Sequence, residues 1–365
     1  MLVVLTGGGT AGHINPALAL AEELQDRGCQ VIYAGTPQGV ESRLVPQAGI
    51  DFVPFEASGF NRTKPLTLFK GVATIKKSAK KAQAWLKEIG ADVVVGFGGY
   101  VSLPVTDAAR KLGIPVVVHE QNSVMGMANK EISKHAAKTC LTYGVAAEGT
   151  GAKNVLVTGN PVRRSIMEST RQEGRDMLGI PQDARMLLVF GGSLGARHIN
   201  EGIIAMKERL LAYPDLHIVH VTGPKEYDTV VDQLALTPEQ AKRWQVMGYQ
   251  DQMGKTMAAT DCIVSRAGAT SLAEISARAI PALLVPFPHA TADHQTMNAK
   301  AYVEAGCAFM VPDDQVETPD FQQKVCQLIE DADLRASMTK AAQAQETVSA
   351  AAKLADAVME VGRAS

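Results

Sequence analysis

The sequence predicts a doubly wound α/β fold built twice over, and three observations carry that expectation. Runs such as Val3-Val4-Leu5, Val93-Val94-Val95 and Val116-Val117-Val118 are apolar throughout, as strands covered on both faces of a parallel sheet are. Amphipathic stretches alternate with these runs, the βαβα order that builds parallel sheets. The opening run Leu2-Val3-Val4-Leu5-Thr6-Gly7-Gly8-Gly9 also resembles Met186-Leu187-Leu188-Val189-Phe190-Gly191-Gly192. Each copy leads through its glycines to a His-Ile-Asn, at His13 and again at His198.

Taken in order, residues 1–5 read as a strand, because no basic segment precedes the apolar run as in a signal peptide. Residues 16–27 form a helix with Ala17, Leu18, Ala21 and Leu24 near one face, and residues 30–34 a second strand. Residues 91–95 and 115–118 are strands leading into Gly96-Phe97-Gly98-Gly99-Tyr100 and His119-Glu120-Gln121-Asn122. Gly159-Asn160-Pro161 ends the first half, since proline blocks immediate helix formation, and residues 163–179 read as a connecting helix. In the second half, strands at 186–190, 261–264 and 282–285 lead into Gly191-Gly192-Ser193, Ser265-Arg266-Ala267-Gly268 and Pro286-Phe287-Pro288-His289. Residues 331–362 read as alanine-rich helix without glycine breaks. Asp331-Ala332-Asp333 is better explained as a solvated helix start than as a metal-binding pair. The expected division is an N-terminal domain at 1–163, a C-terminal domain at 164–342, and a last helix at 343–365 able to pack back on the first domain.

Composition narrows the function. The chain has 365 residues, which suggests two domains at about 150 residues each. It is 46% hydrophobic and 20% charged, in the range of globular cores. Thirty-six basic residues balance 38 acidic ones, which argues against a general nucleic-acid coat. No apolar run approaches the ~18 residues of a membrane span. The five cysteines form no C-x-x-C pair, so buried thiols are expected rather than disulfides or zinc. His289 and His294 are five apart but lack nearby cysteine ligands for a metal.

The polar motifs fall at the carboxyl ends of the strands, where open parallel sheets bind ligands, and their joint occurrence predicts a ligand cleft between the two halves. Gly7-x-Gly9-x-x-Gly12 matches the dinucleotide fingerprint, in which glycines let the backbone approach a phosphate at a helix N-terminus. The acidic residue that would hold a nicotinamide ribose is missing from the end of the second strand, Gly35-Thr36-Pro37, which disfavours a dehydrogenase. Gly191-Gly192-Ser193-Leu194-Gly195 can surround a diphosphate but lacks the lysine of a P-loop. Gly268-Ala269-Thr270-Ser271-Leu272-Ala273-Glu274 opens another helix, and two readings fit it equally. Ser271-x-x-Glu274 is a capping box, or Glu274 holds a pair of ribose hydroxyls. His13, at a helix start, is placed to take a hydroxyl proton, or to brace the glycine loop.

Together, Gly8-Gly9-Thr10-Ala11-Gly12-His13, Gly96-Phe97-Gly98-Gly99-Tyr100-Val101-Ser102, His119-Glu120-Gln121-Asn122, Gly159-Asn160-Pro161-Val162-Arg163, Gly191-Gly192-Ser193-Leu194-Gly195-Ala196, Ser265-Arg266-Ala267-Gly268-Ala269 and Asp293-His294-Gln295 are far more specific than any one of them. The sequence resembles the bacterial glycosyltransferases that add N-acetylglucosamine to undecaprenyl-diphosphate-linked N-acetylmuramyl-pentapeptide in peptidoglycan synthesis. The motifs occur in that family's order from the first strand to about residue 300. The resemblance implies a GT-B fold, with two Rossmann-like domains facing a cleft. It also implies UDP-N-acetylglucosamine as donor, inversion to a β-1,4 linkage, and no cofactor or metal. Carried over by motif, Thr10, Ala11, Gly12, Asn122, Arg163 and Ser193 lie near the donor. Ala269, Thr270, Ser271, Leu272, Ala273 and Glu274 hold ribose and diphosphate, Gln295 the sugar hydroxyls, and Gln250 contacts uracil through its backbone. Ala11 replaces a glycine of many members, and Leu194 and Thr296 stand where glutamine is found.

His13 is the candidate general base, with Glu120 as a competitor, and Arg163 or Arg266 the candidates to offset charge on departing UDP. The lipid-linked acceptor gives meaning to residues 60–87, which hold eight basic residues (Arg62, Lys64, Lys70, Lys76, Lys77, Lys80, Lys81, Lys87) and no acidic one. With Leu66, Leu68, Phe69, Val72, Ile75, Trp85 and Leu86 as apolar contacts, this stretch reads as a dock for anionic lipid. The expected location is peripheral, on the cytoplasmic face of the cell membrane. An epimerase acting on the same donor, a dehydrogenase and a non-catalytic binding protein are the competing readings.

Overall fold

The computed structural model describes residues 1–365 apart from 58–64, 193–194, 346–348 and 365, and the side chains of 65–73 and 291 also fall outside the description. The chain forms two compact units, Met1–Arg163 with Thr347–Ser365, and Arg164–Glu346.

In the first unit the strands are β1 (Leu2–Thr6), β2 (Gln30–Gly35), β3 (Asp51–Pro54), β4 (Val93–Gly96), β5 (Val116–Glu120), β6 (Lys138–Leu141) and β7 (Val155–Val157). All pairs are parallel, in the order β3-β2-β1-β4-β5-β6-β7. The two-residue period of a strand sends alternate side chains to opposite faces, so each apolar run feeds two cores. Val3, Leu5, Val93 and Val95 pack against Ile14, Leu18 and Leu24 of α1 (Ala11–Asp26). Val4, Val94, Val116 and Val118 pack on the other face with Ala82, Leu86 and Val105. Between these lie α2 (Glu41–Gln47) and the basic α3 (Pro65–Ile89).

The second unit holds β8 (Arg185–Phe190), β9 (Leu216–Val221), β10 (Trp244–Met247), β11 (Cys262–Ser265), β12 (Ala282–Leu284) and β13 (Ala308–Met310), again all parallel. Their order, β10-β9-β8-β11-β12-β13, is the 3-2-1-4-5-6 order of the dinucleotide-binding fold. Leu187 and Val189 anchor a core with Ile199, Ile203, Trp244, Phe321 and Met338. The five cysteines are buried free thiols. Burial pushes the Cys140 and Cys262 thiols up to about 12, far from thiolate chemistry.

Two helical expectations need correction. Residues 163–179 are two short helices, Arg164–Glu168 and Arg171–Leu178. Thr170 breaks the run: its extended backbone and side chain cap the second helix, with Glu173 returning the bond in a capping box. The alanine-rich stretch at 331–362 is likewise two helices, Ala332–Gln343 and Ala350–Arg363. Alanine propensity would carry one long helix, but tertiary packing assigns the halves to different units. Met338 belongs to the second unit's core, whereas Leu354, Ala355, Ala357 and Val358 join Val3 and Leu5 in the first. Asp331 starts the first of these helices as expected, its carboxylate accepting Leu334 N–H at 2.8 Å.

Candidate active site

In each sheet the strand order reverses beside the first strand, between β1 and β4 and between β8 and β11. The crevice beyond the carboxyl ends at such a reversal is where ligands bind in these folds. Thr6 of β1 pairs with Gly96 of β4, and Phe190 of β8 with Ser265 of β11. The glycine motifs therefore emerge side by side at each reversal.

At the first, Gly7 and Gly8 run against the β4 loop with no room for side chains. A Cβ on Gly7 would lie 3.0 Å from Phe97 Cβ, and one on Gly99 would lie 2.7 Å from the Gly8 carbonyl oxygen. Gly9, Gly98 and Gly99 have φ of +85°, +98° and +74°, which favours glycine. Thr10 is the N-cap of α1 in extended conformation but makes no side-chain cap. Its hydroxyl lies 3.3 Å from His13 Nδ1 instead, and the same nitrogen lies 3.0 Å from the Gly8 carbonyl oxygen. A carbonyl only accepts, so the neutral ring carries its proton on Nδ1 and its lone pair on Nε2. His13 is half-buried, Ala11 and Gly12 flank it in the first helical turn, and Thr10 is exposed.

The loop has a support that sequence reading missed. Glu41, the first residue of α2, is fully buried. It accepts Thr36 N–H at 3.1 Å, the Thr36 hydroxyl at 2.5 Å and Gly9 N–H at 3.2 Å. Buried Tyr33 donates to the Gly7 carbonyl at 3.1 Å, and burial, with the Glu41 charge beside it, raises its phenol above the ordinary value. The second strand does lack an acidic end, as expected, but an acid six residues beyond Gly35 turns inward onto the glycine loop. Its only sequence signal is an acidic residue opening a short helix just after Gly39.

Glu120 is committed to its surroundings. Its two oxygens accept Asn122 N–H at 3.0 Å, Asn122 Nδ2 at 3.2 Å, Gly126 N–H at 3.0 Å and Asn129 Nδ2 at 2.8 Å, and the side chain is buried. Four donors thus occupy both of its oxygens. Burial pushes His119 down to about 4, and its Nε2 bonds the Gly159 carbonyl at 2.9 Å, so it is a neutral structural donor. Arg163 is ion-paired with Glu22 at 2.5 Å.

At the second reversal Gly191 and Gly195 are hemmed in by backbone. A Cβ on Gly191 would lie 2.3 Å from Ala196 N, and one on Gly195 2.1 Å from the Thr222 oxygen. Ser193 and Leu194 lie outside the described residues. The following helix, Arg197–Ala205, has no side-chain cap and no acid in its first turn. The helix Ala269–Ala277 starts from Gly268, again without a side-chain cap. Ser271 is thus the third helical residue rather than an N-cap, so the capping-box reading of Ser271 and Glu274 is excluded. Glu274 lies one turn on, 8% exposed.

Caps are present elsewhere. Thr170 and Thr237 build full capping boxes and Asp331 caps a third helix, while most other helices carry no side-chain cap. Among these are the four that start at the reversals, Ala11–Asp26, Leu103–Leu112, Arg197–Ala205 and Ala269–Ala277, none of which has an acid in its first turn. Their first-turn amides and dipoles suit an anionic ligand. Gln295 Oε1 accepts both Ala267 N–H at 3.2 Å and Phe287 N–H at 3.0 Å, joining the loops after β11 and β12 and aiming its amide nitrogen elsewhere. Gln250 follows β10, its Oε1 accepting Gln252 N–H at 2.9 Å. Arg266 is ion-paired with buried Asp313, donates to the Val285 and Pro286 carbonyls, and lies over the Phe287 ring. Asp313 also binds His198 Nδ1 at 2.5 Å. Both candidate arginines are therefore already paired with carboxylates.

Comparison with known proteins closes the assignment. The model of the glycosyltransferase family 28 N-terminal domain matches residues 3–141, and that of the family 28 C-terminal domain residues 186–355. A relative from Leuconostoc mesenteroides is 42% identical over 314 residues, 85% of each chain. One from Halothermothrix orenii is 38% identical over 91% of each chain, and one from Pediococcus pentosaceus 36% identical over 100% of each. All three are named UDP-N-acetylglucosamine–N-acetylmuramyl-(pentapeptide) pyrophosphoryl-undecaprenol N-acetylglucosamine transferase. The crystal structure of Acinetobacter baumannii MurG aligns with a TM-score of 0.74 and 30% identity over 98% of this chain and 99% of that one. The fold is the GT-B fold expected from the motifs, with both halves Rossmann-like. The chain belongs to glycosyltransferase family 28.

Proposed function

We propose that the chain transfers N-acetylglucosamine from UDP-N-acetylglucosamine to the 4-hydroxyl of undecaprenyl-diphosphate-linked N-acetylmuramyl-pentapeptide, with inversion. The observation that carries this reading is the transferase name shared by relatives 36–42% identical over 85% or more of both chains. In the transfer, the acceptor oxygen bonds to the anomeric carbon as the bond to the UDP oxygen breaks, and the hydroxyl proton leaves to a base. His13 Nε2 is that base, because Nδ1 faces a carbonyl and the competing Glu120 is saturated with donors.

The uncapped first turn at Ala269, Thr270 and Ser271 receives the diphosphate, where its dipole offsets the charge that UDP carries away. Leu272 and Ala273 continue that segment, Glu274 takes the ribose hydroxyls, and the Gln295 amide nitrogen donates to the sugar. Gln250 contributes backbone contacts to uracil. The family resemblance assigns Thr10, Ala11, Gly12, Asn122, Arg163 and Ser193 to the donor as well.

The acceptor's lipid chain calls for a membrane surface. Among the described residues no helix is long and apolar enough to cross a bilayer. Lys76, Lys77, Lys80, Lys81 and Lys87 are exposed on α3, a face suited to anionic lipid, which supports a peripheral location on the cytoplasmic face of the membrane. Two apolar residues drop out of that surface: Leu86 is a core residue, and Trp85 packs on Phe55 at 5.1 Å. Arg62 and Lys64 lie outside the described residues, as do the side chains of Leu66, Leu68, Phe69, Lys70 and Val72.

UDP release measured with and without a short-chain lipid-linked muramyl-pentapeptide tests the transfer. Acceptor-dependent release with a disaccharide product is expected. Donor binding without transfer would favour an epimerase or a binding protein. His13→Ala should lower kcat at saturation by about 10²-fold or more. Activity within about twofold of wild type would remove His13 as the base.

A further inference from the structure

A peptide group is rigid and planar, and its N–H and C=O point in opposite directions. The unit joining Gly8 to Gly9 has a different partner at each end. Its N–H is bonded to Glu41 Oε2 at 3.2 Å, and its C=O lies 3.0 Å from His13 Nδ1. The order carboxylate, peptide, imidazole repeats the logic of a carboxylate orienting a catalytic histidine, with a backbone amide interposed. We infer that Glu41 is a positioning residue for the transfer, setting the orientation and tautomer of His13 through the Gly8–Gly9 peptide. This rests on the reading of His13 as the base.

Three features favour a role in positioning over mere packing. Glu41 itself is fixed: it is fully buried, and Thr36 supplies two donors to Oε1. The surrounding glycines make way for it, since a Cβ on Gly8 or Gly39 would lie 2.4 Å or 2.2 Å from that oxygen. Finally, a buried carboxylate is costly to retain, where a neutral acceptor would serve the same N–H groups. Its charge polarises the peptide, and hydrogen bonds in series strengthen one another. The carbonyl thus becomes a better acceptor for Nδ1–H as the ring gains a proton at Nε2. Once that proton has moved, the imidazolium keeps the Nδ1–H···O=C bond, and no proton passes through the peptide.

The test combines 15N spectra of histidine-labelled full-length protein with a double-mutant cycle. In the wild type, the neutral His13 ring should be protonated at Nδ1. Glu41→Gln retains the volume, removes the charge and sets an amide in place of an acceptor. It should mix the tautomers and lower kcat about tenfold, with KM for both substrates within about twofold. In a His13→Ala background the same substitution should cost no further activity.

An equal loss of kcat with and without His13 would mean that Glu41 acts structurally, and would overturn the inference while leaving the base assignment intact. A neutral wild-type ring protonated at Nε2 would overturn it even if the Glu41 variant failed to fold. Wild-type activity in His13→Ala would overturn the base assignment and this inference together.

Discussion

Gly99 offers a sharp test of how finely the first glycine loop is placed. Replacing it with alanine introduces two separable costs. The first is conformational: φ is +74°, and an L side chain in the left-handed region costs about 1–2 kcal/mol. The second is steric: the new Cβ would lie 2.7 Å from the Gly8 carbonyl oxygen. Real Cβ contacts essentially never fall below 3.0 Å and nine in ten lie at 3.4 Å or beyond, so the carbonyl must retreat by roughly 0.3–0.7 Å, and a misplacement of about 1 Å can cost about 10²-fold. That carbonyl is the acceptor that orients His13. Gly113→Ala is the matched control, with φ +75° at a helix C-cap and nothing within 4 Å of its Cβ. Gly113→Ala should lose about 1–2 kcal/mol in denaturant unfolding and Gly99→Ala more than that because of its added steric cost, but only Gly99→Ala should lose kcat, by about 10- to 100-fold. Equal kcat in the two folded variants would refute the claim that the Gly8 carbonyl position governs the transfer.

Other outcomes can be checked alongside it. Lys76, Lys77, Lys80 and Lys81 together reversed to glutamate should weaken partitioning onto anionic vesicles at low salt, each lysine contributing about 1 kcal/mol; unchanged partitioning would remove α3 from the membrane surface. Burial holds His119 near about 4 and His220 near about 3, against 6.5 for the exposed side chain. Because the folded form resists protonation, their contribution is complete above pH 6.5 and is lost as pH falls toward 4. Its size is about 3 kcal/mol for His119. Unfolding curves from pH 7 to 4 should show this slope, and His119→Gln, which keeps a donor toward Gly159, should flatten it. Leu354→Ala should destabilise the first unit by about 2–5 kcal/mol, as read by chemical unfolding; a change below 1 kcal/mol would argue that the C-terminal helix does not complete that core.

The strands and their glycine loops were legible because both obey local rules. A strand buried on two faces must be apolar at every position, and the tight loops at the strand ends admit little but glycine. Interactions closed by distant residues were not legible. Glu41 reaches the glycine loop only after the chain has turned past Thr36, and no period or motif marks an acid that folds inward. The neutralisation of Arg266 comes from Asp313, 47 residues away, so the arginine looked available when read alone. Local rules also misled where two of them competed. Ser271 and Glu274 have capping-box spacing, but Gly268 already starts the helix. The alanine-rich C-terminal stretch has uninterrupted helical propensity, yet its halves serve different cores.

That last division bears on how the molecule is made. Residues 350–363 supply Leu354, Ala355, Ala357 and Val358 to a core otherwise drawn from the first 163 residues. During synthesis the β1 and β4 face that α1 covers lacks its remaining cover while more than half of the chain is still being translated. Domains otherwise fold as units, the N-terminal one first, but here the earliest strands emerge well before their last partner. The surface left open in that interval is apolar, and early collapse onto α1 shields part of it. A ribosome stalled before residue 350 would hold a first unit lacking part of one wall, so that unit's core closes only after residues 350–363 have been made.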